Sequence, residues 1–244
     1  MTVDAIRMEH ITKRYKNVTA VDDLTLSVRE GELFSLLGVN GAGKTTTVKM
    51  LSCLAAPSEG DAFLLGHSIR TDAAAVKKLI AVSPQETAVA GALTVEENLL
   101  MMGGVYGFDR AKQHRKADEL VELLGLETVR RRRAGKLSGG FQRRLSIAMA
   151  LIGEPKILFL DEPTLGLDVL ARSELWDLIR ALKGNVTIVL TTHYMEEAEA
   201  LSDRVAIMKD GKLLRCDTSA AIKAETGADT LEQAFIRVVK EANV

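Results

Sequence analysis

A glycine-rich segment that begins at Gly38 has the residue types and spacing of a phosphate-binding loop. Gly38 and Gly43 are followed directly by Lys44 and Thr45, in the pattern Gly-x-x-x-x-Gly-Lys-Thr. Backbone N–H groups of such a loop can surround an anion, the lysine reaches the β- and γ-phosphates, and the threonine hydroxyl can bind Mg²⁺. The predicted phosphate-binding residues of this segment are Gly38, Asn40, Gly41, Gly43, Lys44, Thr45 and Thr46.

The elements on either side of this loop fit the same chemistry. The apolar run Leu33–Leu37 predicts a buried strand, and helix-forming residues resume after Lys44. The N-terminus of that helix would add positive partial charge at the phosphates. An ordinary strand–turn–helix with chance glycines is the alternative, but the fixed positions of the pattern seldom coincide by accident. We therefore expect phosphate binding.

Two adjacent acids follow a second buried strand. Residues 157–160 are uniformly apolar, as in a strand covered on both faces of a parallel sheet, and Asp161 and Glu162 come next. Carboxylates at the carboxyl end of such a strand lie where open α/β sheets bind ligands. Asp161 can hold the Mg²⁺ that Thr45 also contacts, and Glu162 can orient and polarise an attacking water. The alternative is that the acids only mark the exit of the strand to solvent.

A histidine and a tyrosine add two further candidates. His193 follows the apolar residues 186–190, so it falls at the same sheet edge as Asp161, where it can contact a γ-phosphate; a lone histidine there is otherwise structural. Tyr15 lies in a predicted loop between two strands. Its ring is either a surface residue or a platform on which a nucleotide base stacks.

A second glycine-containing segment resembles an anion site more weakly. Ser138 is a plausible N-cap for a helix that starts with Gly139 and Gly140, and two glycines at a helix start leave backbone N–H groups open to an anion. The basic run at residues 130–133 is interpreted as a solvated helix end, with a role near phosphate as the alternative.

The predicted fold class is α/β, a P-loop NTPase core with a mainly parallel sheet, an N-terminal antiparallel β-subdomain and an inserted α-helical subdomain. Within one domain (1–244) we assign antiparallel strands and the phosphate-loop core to 1–85, the helical subdomain to 86–152, the core with the acids and His193 to 153–215, and C-terminal helices to 216–244. A capping box at Thr94 and Glu97 starts the helical segment. We expect breaks at Gly103-Gly104 and at 107–109, a turn at 57–61, and a hairpin at 204–215.

Composition limits the classes of function. The 244 residues suit one α/β domain, and Lys+Arg 32 against Asp+Glu 33 leaves a net charge of −1, which argues against a dedicated nucleic-acid binder. Cys53 and Cys216 lack metal-ligand spacing and are predicted to be buried thiols in a reducing compartment. Neither a signal peptide nor an apolar run of membrane-spanning length is visible. We expect a cytoplasmic protein that reaches a membrane only through a partner.

Taken in order, these segments resemble the nucleotide-binding subunit of an ABC transporter. The resemblance runs from about Ile6 to Arg215 and includes the aromatic Tyr15, the phosphate loop, Gln85, a signature sequence at residues 137–142, the acids, Asp168 and His193. A phosphate loop alone indicates only an NTPase. The signature sequence between the loop and the acids makes the resemblance specific.

The resemblance implies a mechanism. Two copies would pair head to tail around ATP, so that Ser138, Gly139, Gly140 and Gln142 of one copy, together with Asp168, complete the site of the other. Gln85 would ligate Mg²⁺ and water and report the nucleotide state to an integral membrane permease subunit. Glu162, His193 and Gln85 would be the catalytic residues, Thr45, Gln85 and Asp161 the metal ligands, and ATP and Mg²⁺ the cofactors. The protein would lie on the inner face of the cell membrane, held there by its permease.

Within that family the chain most resembles subunits of bacterial drug-efflux systems. The segments that carry this narrower likeness are residues 142–145, 164–168, 191–199 and 231–235. Val169 stands where proline is common, and Met149 stands where an arginine is common. The alternative is an ABC-type ATPase without transport, in DNA repair, translation or regulation. The repair type needs a long coiled coil or zinc-binding insert and the translation type usually two tandem cassettes, neither of which is present.

Overall fold

The structure is a computed structural model that describes residues 4–242. Its strands are β1 (Asp4–Tyr15), β2 (Val18–Arg29), β3 (Leu33–Leu37), β4 (Glu59–Leu64), β5 (His67–Ser68), β6 (Ile80–Ser83), β7 (Ile157–Asp161), β8 (Thr187–Thr192), β9 (Arg204–Lys209) and β10 (Lys212–Asp217). Its helices are α1 (Lys44–Leu51), α2 (Ala73–Leu79), α3 (Val95–Val105), α4 (Arg110–Leu123), α5 (Gly139–Leu151), α6 (Val169–Leu182), α7 (Met195–Leu201), α8 (Ser219–Thr226) and α9 (Leu231–Glu241).

A mainly parallel sheet forms the centre of the molecule. Its strand order is β10-β9-β3-β8-β7-β6, and only the β9–β10 pair is antiparallel. Strands β3 and β7 are buried at every position, which explains why their sequences are uniformly apolar. Their carboxyl ends meet at one edge, where the phosphate loop and the two acids follow. The α/β prediction is confirmed.

A separate antiparallel sheet covers one side of this core. Its order is β2-β1-β4-β5, and an apolar cluster that includes Ile6, Leu24 and Phe34 joins it to the parallel sheet. The register places Tyr15 opposite Val18, so Tyr15 ends a strand and does not lie in the predicted loop. The turn expected at residues 57–61 is also wrong in part, since β4 starts at Glu59 and pairs with β1.

The helical insert packs on the other face of the parallel sheet. Helix α3 starts with the predicted capping box, in which Thr94 and Glu97 each bond the backbone of the other. The helix then continues through Gly103, contrary to the predicted break. A Cβ at Gly103 would lie 3.0 Å from Cγ of Gln113, so the glycine allows α4 to pack closely rather than ending the helix.

Two further expectations are corrected. Cys53 and Cys216 are only partly buried. The basic run follows a short 3-10 helix, Glu127–Val129, and its first residue, Arg130, pairs with Glu96 and Asp118 instead of standing free at a helix end. No helix within residues 4–242 is long and apolar enough to span a bilayer.

Candidate active site

A cleft of about 610 Å³ lies at the carboxyl edge of the parallel sheet. It is lined by residues 40–46 of the phosphate loop, by Gln85, Glu162, Leu165, His193 and Asp210, and by Val18, Thr19 and Ala20 at the start of β2. These residues come from six separate stretches of the chain, and the fold brings them to one place. Sequence reasoning did not identify residues 18–20, Leu165 or Asp210, which carry no recognisable pattern.

Close backbone packing and the hydrogen bonds of Lys44 hold the phosphate loop in its conformation. Gly43 has φ of +100°, and a Cβ there would lie 2.5 Å from the carbonyl oxygen of Ala20, so only glycine fits. The ammonium of Lys44 donates to the carbonyl of Gly38 at 2.7 Å and to that of Val39 at 3.3 Å. Lys44 is only 5% exposed, so its charge is confined to the cleft.

Glu162 lies between Lys44 and His193. Its Oε1 is 3.4 Å from Nζ of Lys44, and its Oε2 bonds Nδ1 of His193. With the carboxylate ionised, Nδ1 is the donor of that bond and Nε2 is left for another partner. The three groups thus form one contiguous chain of charge and hydrogen bonding on the floor of the cleft.

The backbone of Glu162 is held in an unusual conformation. Its φ is +49°, in the left-handed region that few non-glycine residues adopt. Its N–H donates to both the carbonyl and the hydroxyl of Thr191 at 3.1 Å. The neighbouring strand therefore fixes the strained turn that aims the carboxylate, as is common at functional sites.

Thr191 also orients the other acid, a role that the sequence alone did not indicate. Its hydroxyl donates to Oδ1 of Asp161 at 2.5 Å. The parallel register pairs Asp161 directly with Thr191, and this register is what brings the two side chains together. The sequence showed Thr191 only as part of a strand end.

The oxygen atoms at this place suit Mg²⁺. Oγ1 of Thr45 and Oδ1 of Asp161 are 3.2 Å apart, close to the roughly 2.9 Å between adjacent ligands of an octahedron with bonds of about 2.0–2.1 Å. Both atoms are hard oxygen donors, and the amide of Gln85 lies in the same cleft. Within residues 4–242, no group of three or more His, Cys, Asp or Glu residues is placed to hold a metal ion.

The remaining predicted residues do not line this cleft. Tyr15 is 45% exposed, with Nζ of Lys13 lying 4.9 Å from its ring centroid. Ser138 and Gly139 are exposed at the start of α5, and Gly140 is partly buried there. Gln142 donates to the carbonyl of Ala134 at 3.1 Å. Asp168 caps α6 by accepting from the N–H of Ala171 at 2.9 Å. A single copy therefore leaves the signature segment outside the cleft.

A further buried carboxyl belongs to Glu197, in α7. Glu197 is fully buried and accepts from the indole N–H of Trp176 at 3.1 Å. Burial raises the pKa of Glu197, and the neighbouring side chains of Thr192, Thr164 and Trp176 offset this only in part. The fold therefore favours the neutral acid at this position.

Comparison with known proteins identifies the family to which this chain belongs. Residues 21–165 match the family described as ABC transporter. The daunorubicin/doxorubicin resistance ATP-binding protein DrrA of Streptomyces peucetius is 40% identical over 228 residues, which cover 93% of this chain and 69% of that protein. The chain belongs to the ABC transporter ATP-binding family.

Particular relatives include both transporters and isolated cassettes. DrrA of Mycobacterium tuberculosis (strain CDC 1551 / Oshkosh) is 39% identical over 97% of this chain and 72% of its own. The phospholipid-transporting ATPase ABCA3 of Homo sapiens is 41% identical over 93% of this chain, which spans only 14% of that protein. A solved ATP-binding subunit of an ABC transporter is 27% identical with a TM-score of 0.84 over 96% of this chain and 99% of that one.

A dimeric structure is also similar. It is the post-hydrolysis state of the ATP-binding cassette MJ0796 bound to ADP and Pi, with 26% identity and a TM-score of 0.78 over 87% of this chain and 98% of that chain. The ATP-binding cassette fold of this chain is thus shared with a protein seen as a nucleotide-bound dimer.

Proposed function

We propose that this chain is a Mg²⁺-dependent ATPase that powers export through a separate membrane subunit. The observation that carries the proposal is the convergence of Lys44, Glu162, His193 and Gln85 on one cleft beside a phosphate loop. Phosphoryl transfer to water needs little covalent help from a protein. Positioning and charge stabilisation, which these groups offer, supply most of the acceleration.

Each side chain has a role that follows from its place. Lys44 neutralises charge on the β- and γ-phosphates, because its ammonium is buried at the loop. Glu162 orients the attacking water and polarises it towards the γ-phosphate. His193, bonded to Glu162 through Nδ1, presents Nε2 to the γ-phosphate. Each of the last two groups accounts for about 10²–10⁴ in rate, the range of positioned acid–base groups.

Thr45, Asp161 and Gln85 would hold the metal ion. Bound Mg²⁺ supplies charge neutralisation between phosphate oxygens. Thr191 keeps Asp161 turned towards that position through its 2.5 Å hydrogen bond. The 3.2 Å distance between Oγ1 of Thr45 and Oδ1 of Asp161 supports this assignment, because it suits two adjacent ligands.

A second copy would complete the site. Ser138, Gly139, Gly140 and Gln142 do not line the cleft of their own chain, which is consistent with a segment that serves another copy. Asp168, exposed at the start of α6, would lie at the same interface. In this arrangement ATP is enclosed between the phosphate loop of one chain and the signature segment of the other. Tyr15 would meet the base from the open end of the cleft.

The surface beside Gln85 is suited to an integral membrane permease. A groove there is lined by Ile80, Pro84, Ala88, Met102 and Met149 among others, and its lining residues Leu54 and Tyr106 are 71% and 43% exposed. Val105, the neighbour of Tyr106 in the chain, is 74% exposed. Large exposed apolar side chains gathered in one place mark an interaction surface. Through this contact the protein would lie on the inner face of the membrane. We do not expect nucleic acid as a partner.

The proposal is tested by ATP turnover and by recovery of a membrane partner. We expect ATP hydrolysis that stops when EDTA removes Mg²⁺, and co-purification of a polytopic membrane protein from detergent extracts. Leu54→Glu with Val105→Glu should remove the partner and leave basal turnover in place. Turnover without any membrane partner would favour the alternative, an ABC-type ATPase outside transport. Absence of turnover would refute the ATPase itself.

A further inference from the structure

Arg143 is a buried cation that none of the roles above uses. It lies in α5, is 4% exposed, and its neighbours in hydrogen bonding are carbonyl groups. Nη1 donates to the carbonyl of Pro84 at 2.6 Å and Nη2 donates to the carbonyl of Gln85 at 2.5 Å. Its Nε is buried without a hydrogen-bond partner. Burial of a guanidinium in this setting carries a desolvation cost, so its presence here indicates a specific structural role.

The charge of Arg143 is not compensated by a directly bonded acid. Burial lowers the pKa of Arg143, while Asp161 and Glu197 act on it through space to raise it. The planar guanidinium instead spans two successive carbonyls, a fit that a lysine ammonium cannot reproduce because it lacks the fork geometry. The pair of bonds fixes the orientation of the Pro84–Gln85 and Gln85–Glu86 peptide groups.

A second contact joins the same two segments. The hydroxyls of Ser83 and Ser146 are 3.0 Å apart and buried. Ser146 follows Arg143 by one helical turn, so both side chains lie on one face of α5. Residues 83–85, which lead from β6 into the cleft, are therefore attached to α5 at three successive positions. Helix α5 is also the helix that begins at Ser138.

We infer that Arg143 is a positioning residue that holds the backbone of Gln85 so that its amide reaches the nucleotide cleft, and that couples Gln85 to the signature helix α5. Only the kinetic consequence of this inference rests on the proposed ATPase function. Without Arg143 the carbonyls of Pro84 and Gln85 lose their donors, and the segment can turn away. With Arg143, a displacement of α5 moves Gln85 with it.

The kinetic test is a double-mutant cycle between Arg143→Gln and Gln85→Ala. If Arg143 acts through Gln85, each single variant lowers kcat by about 10- to 100-fold with a small change in KM, and the double variant is no slower than Gln85→Ala. Arg144→Gln is the matched control, since Arg144 is the next residue of α5 and bonds Glu174 instead. Losses that multiply in the double variant would overturn the inference.

The structural test needs no turnover. Hydrogen exchange in the intact chain should rise over residues 83–91 in Arg143→Gln and stay unchanged in Arg144→Gln. If Arg143→Gln does not fold, Arg143→Lys keeps the charge and loses the fork, and the same rise is expected. Unchanged hydrogen exchange over this segment in the folded variant overturns the inference, whether or not the wild-type chain hydrolyses ATP. An inactive wild-type chain would count against the ATPase proposal alone.

Discussion

The ammonium of Lys44 lies 3.4 Å from Oε1 of Glu162, so the proposed phosphate-binding cation and the proposed water-orienting acid are direct partners in the cleft. Both side chains are under a tenth exposed, which makes their interaction stronger than that of a surface pair. Phosphate that enters the loop offers Lys44 an alternative partner.

Removal of the Glu162 charge should separate binding from hydrolysis. In Glu162→Gln we expect turnover to fall by about 10²–10⁴ while ATP binding persists, because the amide cannot polarise water. An ATP-bound dimer should accumulate and be visible by size-exclusion chromatography. Glu196→Gln, an exposed neighbour of the His193 segment, serves as the control. Near-normal turnover of purified Glu162→Gln would remove Glu162 from its role.

Removal of Lys44 should weaken the binding step itself. Lys44→Ala deletes the point charge aimed at the phosphates, so we expect the Kd for ATP to rise by about ten-fold or more in calorimetry. The exposed Lys49, on the same helix α1, provides the control Lys49→Ala. Equal affinities for ATP in the wild type and Lys44→Ala would contradict the assignment.

Thr191 provides a test of how Asp161 is oriented. Thr191→Val keeps the volume but removes the hydroxyl that Asp161 and the N–H of Glu162 use. We expect kcat to fall by about ten-fold and the Mg²⁺ concentration needed for half-maximal turnover to rise, with recovery in Thr191→Ser. A valine variant with the Mg²⁺ dependence of the wild type would show that the hydroxyl does not matter for Asp161.

Glu197 predicts a pH dependence of stability. Its pKa is raised by burial, so the fold favours the neutral acid. The stabilisation is complete below the unfolded pKa of about 4.3 and is lost as pH rises through the folded pKa. Because Glu197→Gln does not titrate, the Tm of this variant relative to wild type should increase between about pH 4 and pH 8. A difference that stays constant across this range would contradict the buried-acid assignment.

The parts of the site that could be predicted are those written as contiguous patterns. The phosphate loop, the acids after β7 and His193 after β8 follow from local sequence and from the rule that parallel strands end at one edge. Thr191 and Arg143 could not be found in this way. The role of Thr191 depends on strand register. The role of Arg143 depends on its contacts with Pro84 and Gln85, which precede it by 59 and 58 positions in the sequence.

The errors in the predicted elements have the same origin. Gly103 was expected to end a helix because glycine is a poor helix former, but packing against Gln113 outweighs that preference. Glu59 was expected in a turn because Pro57 and Gly60 flank it, but pairing with β1 extends the strand. Tertiary contacts decided each case, and they are invisible to a local pattern.

The central claim is that two copies share each site, and mixing two inactive variants tests it most directly. Ser138→Arg damages the signature segment and leaves the phosphate loop, Lys44 and Glu162 intact. Glu162→Gln damages the cleft and leaves Ser138 intact. A mixed dimer therefore contains one complete site, built from the loop of the first variant and the signature of the second.

Turnover is measured for each variant alone and for the mixture at equal total protein. The account predicts that the mixture hydrolyses ATP at a rate well above the sum of the rates of its two components. As a control, each variant is mixed with a double variant that combines its own substitution with Lys44→Ala, and no gain in rate is expected because no complete site can form. A mixture no more active than that sum, with wild-type protein active under the same conditions, would contradict a site shared between two chains.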